Sequence, residues 1–279
     1  MVVPLKDKVI LGTLSSHYQD DVLSQMLIAA KKKPETKEMA TTLQIEQLQT
    51  WLSKKTPADD VFALLQLNKA DDKLFDSPQF ALWSKYLDDL SGPNKETTMI
   101  ATLSTHYADE AMIKLINAAK DNPAMKGMAT KLEGAQHKKW IAAGTSPVDV
   151  FKFYQLDRAG DSLFTSPQFD TWVTYLKRFN AANPKKEPTS QFGTFRKVYG
   201  DEDLAKILIK AQGVDKTKDI ATKLQEEQII YWLKSKQKVR DVQKWLGVDK
   251  NTASALETAA YKKYEGIYLD QPLVRNGRK

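Results

Sequence analysis

The stretch LFDSPQFALWSKYL, residues 74–87, returns as LFTSPQFDTWVTYL at residues 163–176. The two copies lie 89 residues apart, and Trp51 precedes Trp140 by the same 89 residues, so nothing is inserted or deleted between them. Self-similarity at a fixed period is typical of repeat proteins, in which supersecondary units stack on one another. The chain therefore contains at least two copies of one structural unit.

A third, more divergent copy follows the first two. IATKLQEEQIIYWL at residues 220–233 resembles MATTLQIEQLQTWL at residues 39–52, so that Trp232 aligns with Trp51. The SPQF phrase is absent from this copy. Extending the same offset aligns three residues of the first copy, Phe80, Trp83 and Tyr86, with Tyr261, Tyr264 and Ile267.

Polar stretches at residues 91–98 and 180–190 separate the copies and contain proline, which is typical of connectors. Neither stretch is long enough to be a free tether. We therefore predict three units in tandem, with residues 1–93, 94–184 and 185–279 as the first, second and third repeat.

Composition favours an all-α fold. The 279 residues include only 12 glycines and 11 prolines, and alanine, leucine, lysine and glutamine are abundant, as expected for helices. There is no cysteine, which excludes disulfides, thiolate metal sites and a cysteine nucleophile. No stretch approaches the roughly 20 apolar residues needed to span a bilayer, so we expect no membrane association.

Helical periodicity appears within each unit. Apolar residues in one segment of the first unit recur at three- and four-residue steps: Met39, Leu43, Leu48, Trp51 and Leu52. A preceding helix over residues 20–32 is expected to direct four residues toward a core: Val22, Leu23, Met26 and Leu27. The closing helix places four large residues on one face, namely Phe80, Trp83, Tyr86 and Leu87, and its repeat equivalents in the second unit do the same.

Ser-Pro and Thr-Pro pairs precede several of these helices. Ser77-Pro78, Ser166-Pro167, Ser146-Pro147 and Thr56-Pro57 fit an N-cap followed by proline in the first helical turn. Phosphorylation by proline-directed kinases is the alternative interpretation of these pairs. We favour helix capping because every pair lies at a predicted helix start.

Candidate catalytic and metal-binding residues are sparse. The three histidines, His17, His106 and His137, lie far apart in sequence, and a surface or helix-start role is expected for them. No phosphate-loop, dinucleotide-binding, zinc-protease or nucleophile-elbow motif occurs. We therefore expect no enzymatic activity, no metal and no cofactor.

The net charge of +7 raises the alternative of nucleic-acid binding. The charges are interspersed along helical faces, and only VRNGRK at residues 274–279 forms a concentrated basic segment. Tryptophans can stack on bases in single-strand binders, yet here they lie on predicted apolar helix faces. Core packing is therefore the favoured role of the tryptophans.

The repeated residues resemble the LWY module of the RXLR effectors that Phytophthora and related oomycete plant pathogens secrete. Thr13–Ala30 and Thr102–Ala119 match the L motif, and the W and Y motifs follow at fixed spacing. The resemblance indicates a structural core motif of eight residues: Trp51, Trp83, Tyr86, Trp140, Trp172, Tyr175, Trp232 and Tyr264. In the third unit Ile267 stands where tyrosine is expected, with Tyr264 or Tyr268 as substitutes. The family's signal peptide and RXLR motif are not found, so we expect a mature form or fragment.

The resemblance implies helical bundles stacked into an elongated rod or superhelix, with each L-motif helix docked on the unit before it. It also implies a secreted virulence effector that acts in the host cytoplasm or nucleus as a non-enzymatic scaffold for plant proteins. A subset of such effectors recruits the protein phosphatase 2A core through its scaffold subunit, in place of a regulatory subunit. We expect a monomer when free, and keep an RNA-binding suppressor of host silencing as the alternative function. Which surface residues bind a partner is not predicted.

Overall fold

The computed structural model describes residues 5–248 and 252–270. Within these residues every regular element is helical, which confirms the all-α prediction. The α-helices run, in chain order, α1 Leu5–His17, α2 Asp20–Ala30, α3 Pro34–Ser53, α4 Ala58–Leu64, α5 Pro78–Ser91, α6 Lys95–His106, α7 Asp109–Asp121, α8 Lys126–Ala142, α9 Pro147–Phe153, α10 Pro167–Ala182, α11 Gln191–Gln212, α12 Asp215–Lys234, α13 Val239–Trp245 and α14 Ala255–Leu269. Short 3-10 turns lie at Leu67–Lys69, Asp71–Asp76, Gly92–Asn94, Leu156–Arg158 and Gly160–Thr165.

The helices repeat one plan. Two L-motif helices are followed by a long W-motif helix, a short helix and a closing Y-motif helix, as in α1 to α5. In the third copy the two L-motif helices are merged as α11, which is kinked at Gly200 with φ 75°. This left-handed backbone conformation is easily adopted by glycine. The kink occupies the position at which α6 ends and α7 begins in the second copy.

The chain divides into two compact units, Met1–Ala143 and Gly144–Lys279. The first unit contains α1 to α8, and the second contains α9 to α14. The division falls inside the second predicted repeat, after its W-motif helix. The repeat boundaries after residues 93 and 184 therefore remain predictions, and they differ from the boundary between the two compact units.

Three residues expected in the core are exposed, so that part of the prediction is wrong. Val22, Met26 and Met39 are 44%, 41% and 51% exposed. On α2 the buried stripe contains Leu23 and Leu27, which lie one position further along the chain. Residues four apart share a helical face, so periodicity alone permits either stripe, and packing selects one.

The predicted capping residues behave differently from one copy to the next. The hydroxyl of Ser77 accepts from the Phe80 amide at 3.0 Å, and that of Ser146 accepts from the Asp149 amide at 3.2 Å. Ser166 also precedes a helix, but its hydroxyl donates to the Gln168 side chain instead. The N-cap prediction for Thr56 is wrong, because Pro57 occupies that position and α4 begins at Ala58.

The connector expected at residues 91–98 is almost entirely helical. Helix α5 ends at Ser91, a single 3-10 turn follows, and α6 begins at Lys95. Gly92 adopts φ 50°, which permits the sharp change of direction. The following repeat is thus held close to the preceding one.

Candidate functional site

The tryptophan of the W motif packs against the tyrosine of the Y motif. The rings of Trp51 and Tyr86 lie edge to face with centroids 6.3 Å apart, and those of Trp232 and Tyr264 do so at 6.1 Å. All four side chains are at most 1% exposed. Such edge-to-face pairs are favoured by the quadrupoles of the rings. The pairing joins the W-motif helix to the closing helix in the first and third repeats.

The second repeat has the same residues, but its W-motif and Y-motif helices belong to different compact units. Trp140 is 3% exposed in the first unit, and Tyr175 is fully buried in the second. Trp172 is also fully buried. Its Nε1 donates to the Pro147 carbonyl at 2.8 Å, just as Trp83 Nε1 donates to the Ala58 carbonyl at 2.9 Å.

The hydroxyl of each Y-motif tyrosine donates a hydrogen bond to a backbone carbonyl in the turn that follows a W-motif helix. Tyr86 donates to the carbonyl of Thr56 at 2.6 Å, and Tyr175 donates to that of Thr145 at 2.7 Å. In the third repeat Tyr264 donates to the carbonyl of Gln237 at 2.5 Å. The tyrosine therefore satisfies a carbonyl in the turn that leads into the short helix, as buried polar groups require.

These contacts identify which residue replaces the missing tyrosine of the third repeat. Tyr264 makes both the ring contact and the carbonyl bond, whereas Ile267 is 46% exposed. The alignment at a constant offset, which places Ile267 at the position of Tyr86, is therefore wrong by three positions. The connection between α13 and α14 is shorter than that between α4 and α5, and this shifts the register. Tyr261 then takes the place of Trp83 and is only partly buried.

Burial raises the pKa of several of these phenols. It raises the pKa of Tyr264 to about 12, with smaller contributions from the charges of Tyr268 and Asp241. The pKa of Tyr199 is also raised to about 12, mainly by burial and then by Asp157. Tyr86 and Tyr175 shift in the same direction, again mainly through burial. The fold thus favours the neutral phenol.

We expect this preference for the neutral phenol to reduce the stability of the fold at alkaline pH. An unfolded tyrosine loses its proton near pH 10, but folded Tyr264 retains it up to about 12. Above the pKa of the unfolded tyrosine, the unfolded state binds fewer protons than the folded state, so the free energy of unfolding falls as pH rises. Urea unfolding between pH about 8 and about 11 measures this fall. The free energy of unfolding should fall less steeply with pH for Tyr264→Phe than for wild type. Tyr18→Phe, at an exposed position, is the control. Equal slopes for wild type and Tyr264→Phe would contradict the prediction.

An aspartate accepts a hydrogen bond from each W-motif tryptophan, a contact that helical periodicity does not predict. The indole Nε1 of Trp51 lies 3.1 Å from Asp20 Oδ2, and those of Trp140 and Trp232 lie 2.9 and 2.8 Å from Asp109 Oδ1 and Asp201 Oδ1. The separation is 31 residues each time. That constant spacing is the sequence signal that could have identified the aspartates.

Replacing Asp109 with alanine tests this bond. Asp109 Oδ1 accepts from both Trp140 Nε1 and Gln136 Nε2, the latter at 2.8 Å. We expect Asp109→Ala to reduce the free energy of unfolding by about 1–3 kcal/mol, because it leaves buried donors without an acceptor. Urea unfolding gives the value. Asp109→Asn retains an acceptor oxygen and is the matched control; a loss as large as that of alanine would argue against the hydrogen bond.

The first unit contains a joint between two repeats. Met99 and Leu103 of α6 lie in the same buried cluster as Phe62 and Trp83 of the preceding repeat. The ring of His106 stacks on Phe62 with centroids 4.9 Å apart, and its Nε2 lies 2.7 Å from Asp59 Oδ1. An L-motif helix thus covers the end of the repeat before it, which is the docking that the resemblance implies.

The second unit contains the corresponding joint, built on Phe195 of α11. Phe195 is fully buried, and its ring centroid lies 5.5 Å from that of Phe151 and 5.4 Å from that of Trp172. The nearby Tyr199 hydroxyl donates to the carbonyl of Leu156. Lys210 Nζ lies 2.5 Å from Asp161 Oδ2 at the exposed edge. The first helix of the third repeat therefore completes the aromatic core of the second.

The residues considered for chemistry are separate from one another. His17 is exposed at the end of α1, and His106 lies in the first joint. The surface prediction for His137 is wrong, because this residue is 1% exposed and stacks on Trp140. No group of three or more potential ligands that could hold a metal occurs among residues 5–248 and 252–270.

The tryptophans lie in cores and not on a surface that could stack on bases. Five of the six tryptophans are at most 3% exposed, and Trp245 is half-buried against Trp232, with centroids 5.5 Å apart. The basic segment at residues 274–279 lies outside the described residues. No helix in the described part of the chain combines the length and the apolar character that a bilayer span requires.

Comparison with known proteins places this geometry in a family. The family model for the WY domain of the effector PexRD54 matches residues 46–87 and 135–176, which contain the W and Y motifs of the first two repeats. The RxLR effector PSR2 of Phytophthora sojae is 40% identical over 87% of this chain, and its namesake in Phytophthora infestans is 36% identical over 91%. The chain belongs to the RxLR effectors with tandem WY domains.

The chain spans about a third of the length of these two effectors, 36% and 34% respectively. The crystal structure of PcRxLR12 is similar, with a TM-score of 0.71 and 32% identity over 98% of this chain and 66% of that one. The fold of this RxLR effector chain is therefore shared with a solved member of its family.

Proposed function

We propose that this RxLR effector chain acts inside plant cells as a non-enzymatic scaffold that binds host proteins. The observation that carries the proposal is the match of its repeats to RxLR effectors over nearly the whole chain. The W-motif and Y-motif side chains are used in cores and joints, which leaves the outer helical faces for partners. The pathogen secretes the chain, which then works as a monomer in the host cytoplasm or nucleus.

The specific partner that we propose is the protein phosphatase 2A core, held through its scaffold subunit in place of a regulatory subunit. The resemblance to tandem LWY effectors supports this proposal. We assign docking to the first and second repeats. The divergent third repeat would then capture different host proteins for dephosphorylation, so the chain would borrow its enzyme activity.

Affinity purification from plant extract, followed by mass spectrometry, tests the proposal. We expect the scaffold and catalytic subunits of the phosphatase to be recovered in comparable amounts. Purified chain without host factors should show no phosphatase activity. Failure to recover any phosphatase subunit would contradict the phosphatase proposal. Salt-sensitive RNA binding without host protein would instead support the silencing-suppressor alternative.

A further inference from the structure

A groove of about 330 Å³ lies in the first compact unit among α2, α3 and α5. Its apolar lining comes from Ile28, Pro78, Ala81 and Leu82. Ile28 is 9% exposed and Leu82 is half-buried, so the floor of the groove is continuous with the packed helices. The volume is at the lower end of the range of ligand-binding clefts.

Three lysines border this apolar floor. Lys31 and Lys32 follow the end of α2, and Lys85 lies on α5. Lys31 Nζ donates to Gln44 Oε1 at 2.8 Å, a neutral partner that leaves its charge uncompensated. In the described part of the chain none of the three forms an ion pair. The dipole of α2 stabilises Lys31 and Lys32, which follow its C-terminal end. Lys85 lies within α5, so this reason does not apply to it.

At the corresponding positions of the other repeats, each lysine is either paired with a carboxylate, as Lys263 is with Glu226, or replaced by another residue. In the second repeat Lys120 pairs with Glu133, which replaces Gln44, and Asp121 stands in place of Lys32. In the third repeat the pair becomes Gln212 and Gln225, whose side chains bond at 2.6 Å. A stability role shared by all repeats would retain the same charges, so the lysines of the first repeat need another explanation.

We propose that this groove binds an acidic amphipathic segment of a host protein. Apolar side chains of the segment contact Ile28 and Leu82, and its carboxylates lie near Lys31, Lys32 and Lys85. This is helix-in-groove recognition, in which apolar burial gives most of the affinity and charges give orientation and selectivity. The assignment rests on the proposed scaffold function and names the chemistry of one partner surface.

A defined peptide probe tests the groove with the full chain. The probe is a fluorescein-labelled helical peptide with leucines at positions i, i+4 and i+7, flanked by glutamates. We expect saturable binding by fluorescence anisotropy that weakens with salt. The same peptide with glutamine in place of glutamate should bind at least about tenfold more weakly. Equal binding of the two peptides would overturn the proposal.

Matched variants locate the binding. Lys31→Ala combined with Lys32→Ala and Lys85→Ala should weaken binding of the glutamate peptide by at least about tenfold. The control triple variant alters lysines that are exposed elsewhere, Lys138, Lys218 and Lys223, and has the same net charge. An equal loss in the control would show a nonspecific charge effect and overturn the assignment. Leu82→Gln tests the apolar floor and should also weaken binding.

Other anionic ligands are distinguished in the same assay. Phosphatidylserine vesicles and single-stranded RNA are offered to wild type and to the groove variant. Lysine-dependent binding of either, without binding of the glutamate peptide, would overturn the proposal of a protein partner. The peptide assay contains no host extract, so its failure removes only the groove assignment, whereas the extract purification tests the scaffold function separately.

Discussion

Replacing Trp232 with alanine is expected to lower the free energy of unfolding of the Gly144–Lys279 unit by about 3–5 kcal/mol. Trp232 is fully buried, contacts the rings of Tyr264 and Trp245, and donates its Nε1 proton to Asp201. The substitution removes apolar contacts, opens a cavity and leaves a carboxylate without its donor. Domains of this size are stable by only about 5–15 kcal/mol, so the loss is a large fraction of the total.

Urea unfolding, monitored by circular dichroism, measures this effect. Trp245→Ala is the matched control, since Trp245 belongs to the same repeat and contacts the ring of Trp232 but is only half-buried. We expect the control to lose less than half as much stability, because less of its surface leaves water on folding. Equal losses for the two variants would show that Trp232 does not organise the core of the third repeat.

Phe195→Ala is expected to separate the second repeat from the third. Phe195 belongs to α11 but packs on Phe151, Phe169 and Trp172 of the preceding repeat. Truncating a buried phenylalanine costs about 3–5 kcal/mol. In a repeat protein the interface between neighbours carries much of the stability of each. We therefore expect loss of stability in the preceding repeat as well as near the substitution.

Hydrogen exchange with mass spectrometry is the measurement that separates these regions. Amide protection in α9 and α10 should fall in Phe195→Ala, although neither helix contains the substitution. Phe179→Ala is the matched control, because Phe179 is half-buried on α10 and contacts Tyr175 with centroids 6.1 Å apart. Unchanged protection in α9 would mean that the joint does not couple the repeats.

The repeat plan could be predicted because its signals are local and periodic. The 89-residue spacing, the helical periodicity and the Ser-Pro helix starts all lie within short stretches. The aspartate partners of the tryptophans were missed because their bonds span 31 residues. Such a bond connects separate helices, so helical periodicity does not report it.

The third repeat shows where alignment at a constant offset fails. Tyr264, rather than Ile267, packs on Trp232, because a shorter connection before α14 changes the register. His137 and Met26 were also misplaced, one buried and the other 41% exposed. For each of them the deciding factor is which neighbouring helix covers the position, a property that periodicity does not contain.

The all-α tandem repeat, with the tryptophans and tyrosines of its motifs, could be predicted from the sequence alone. This is possible because a helical unit repeated at a constant period imposes the same side-chain requirements in each copy. The folded structure was needed to identify the aspartates that bond the tryptophans and the tyrosine that closes the third repeat. The fold also brings three uncompensated lysines around one apolar groove. These features depend on distances between helices far apart in the chain, and packing sets those distances.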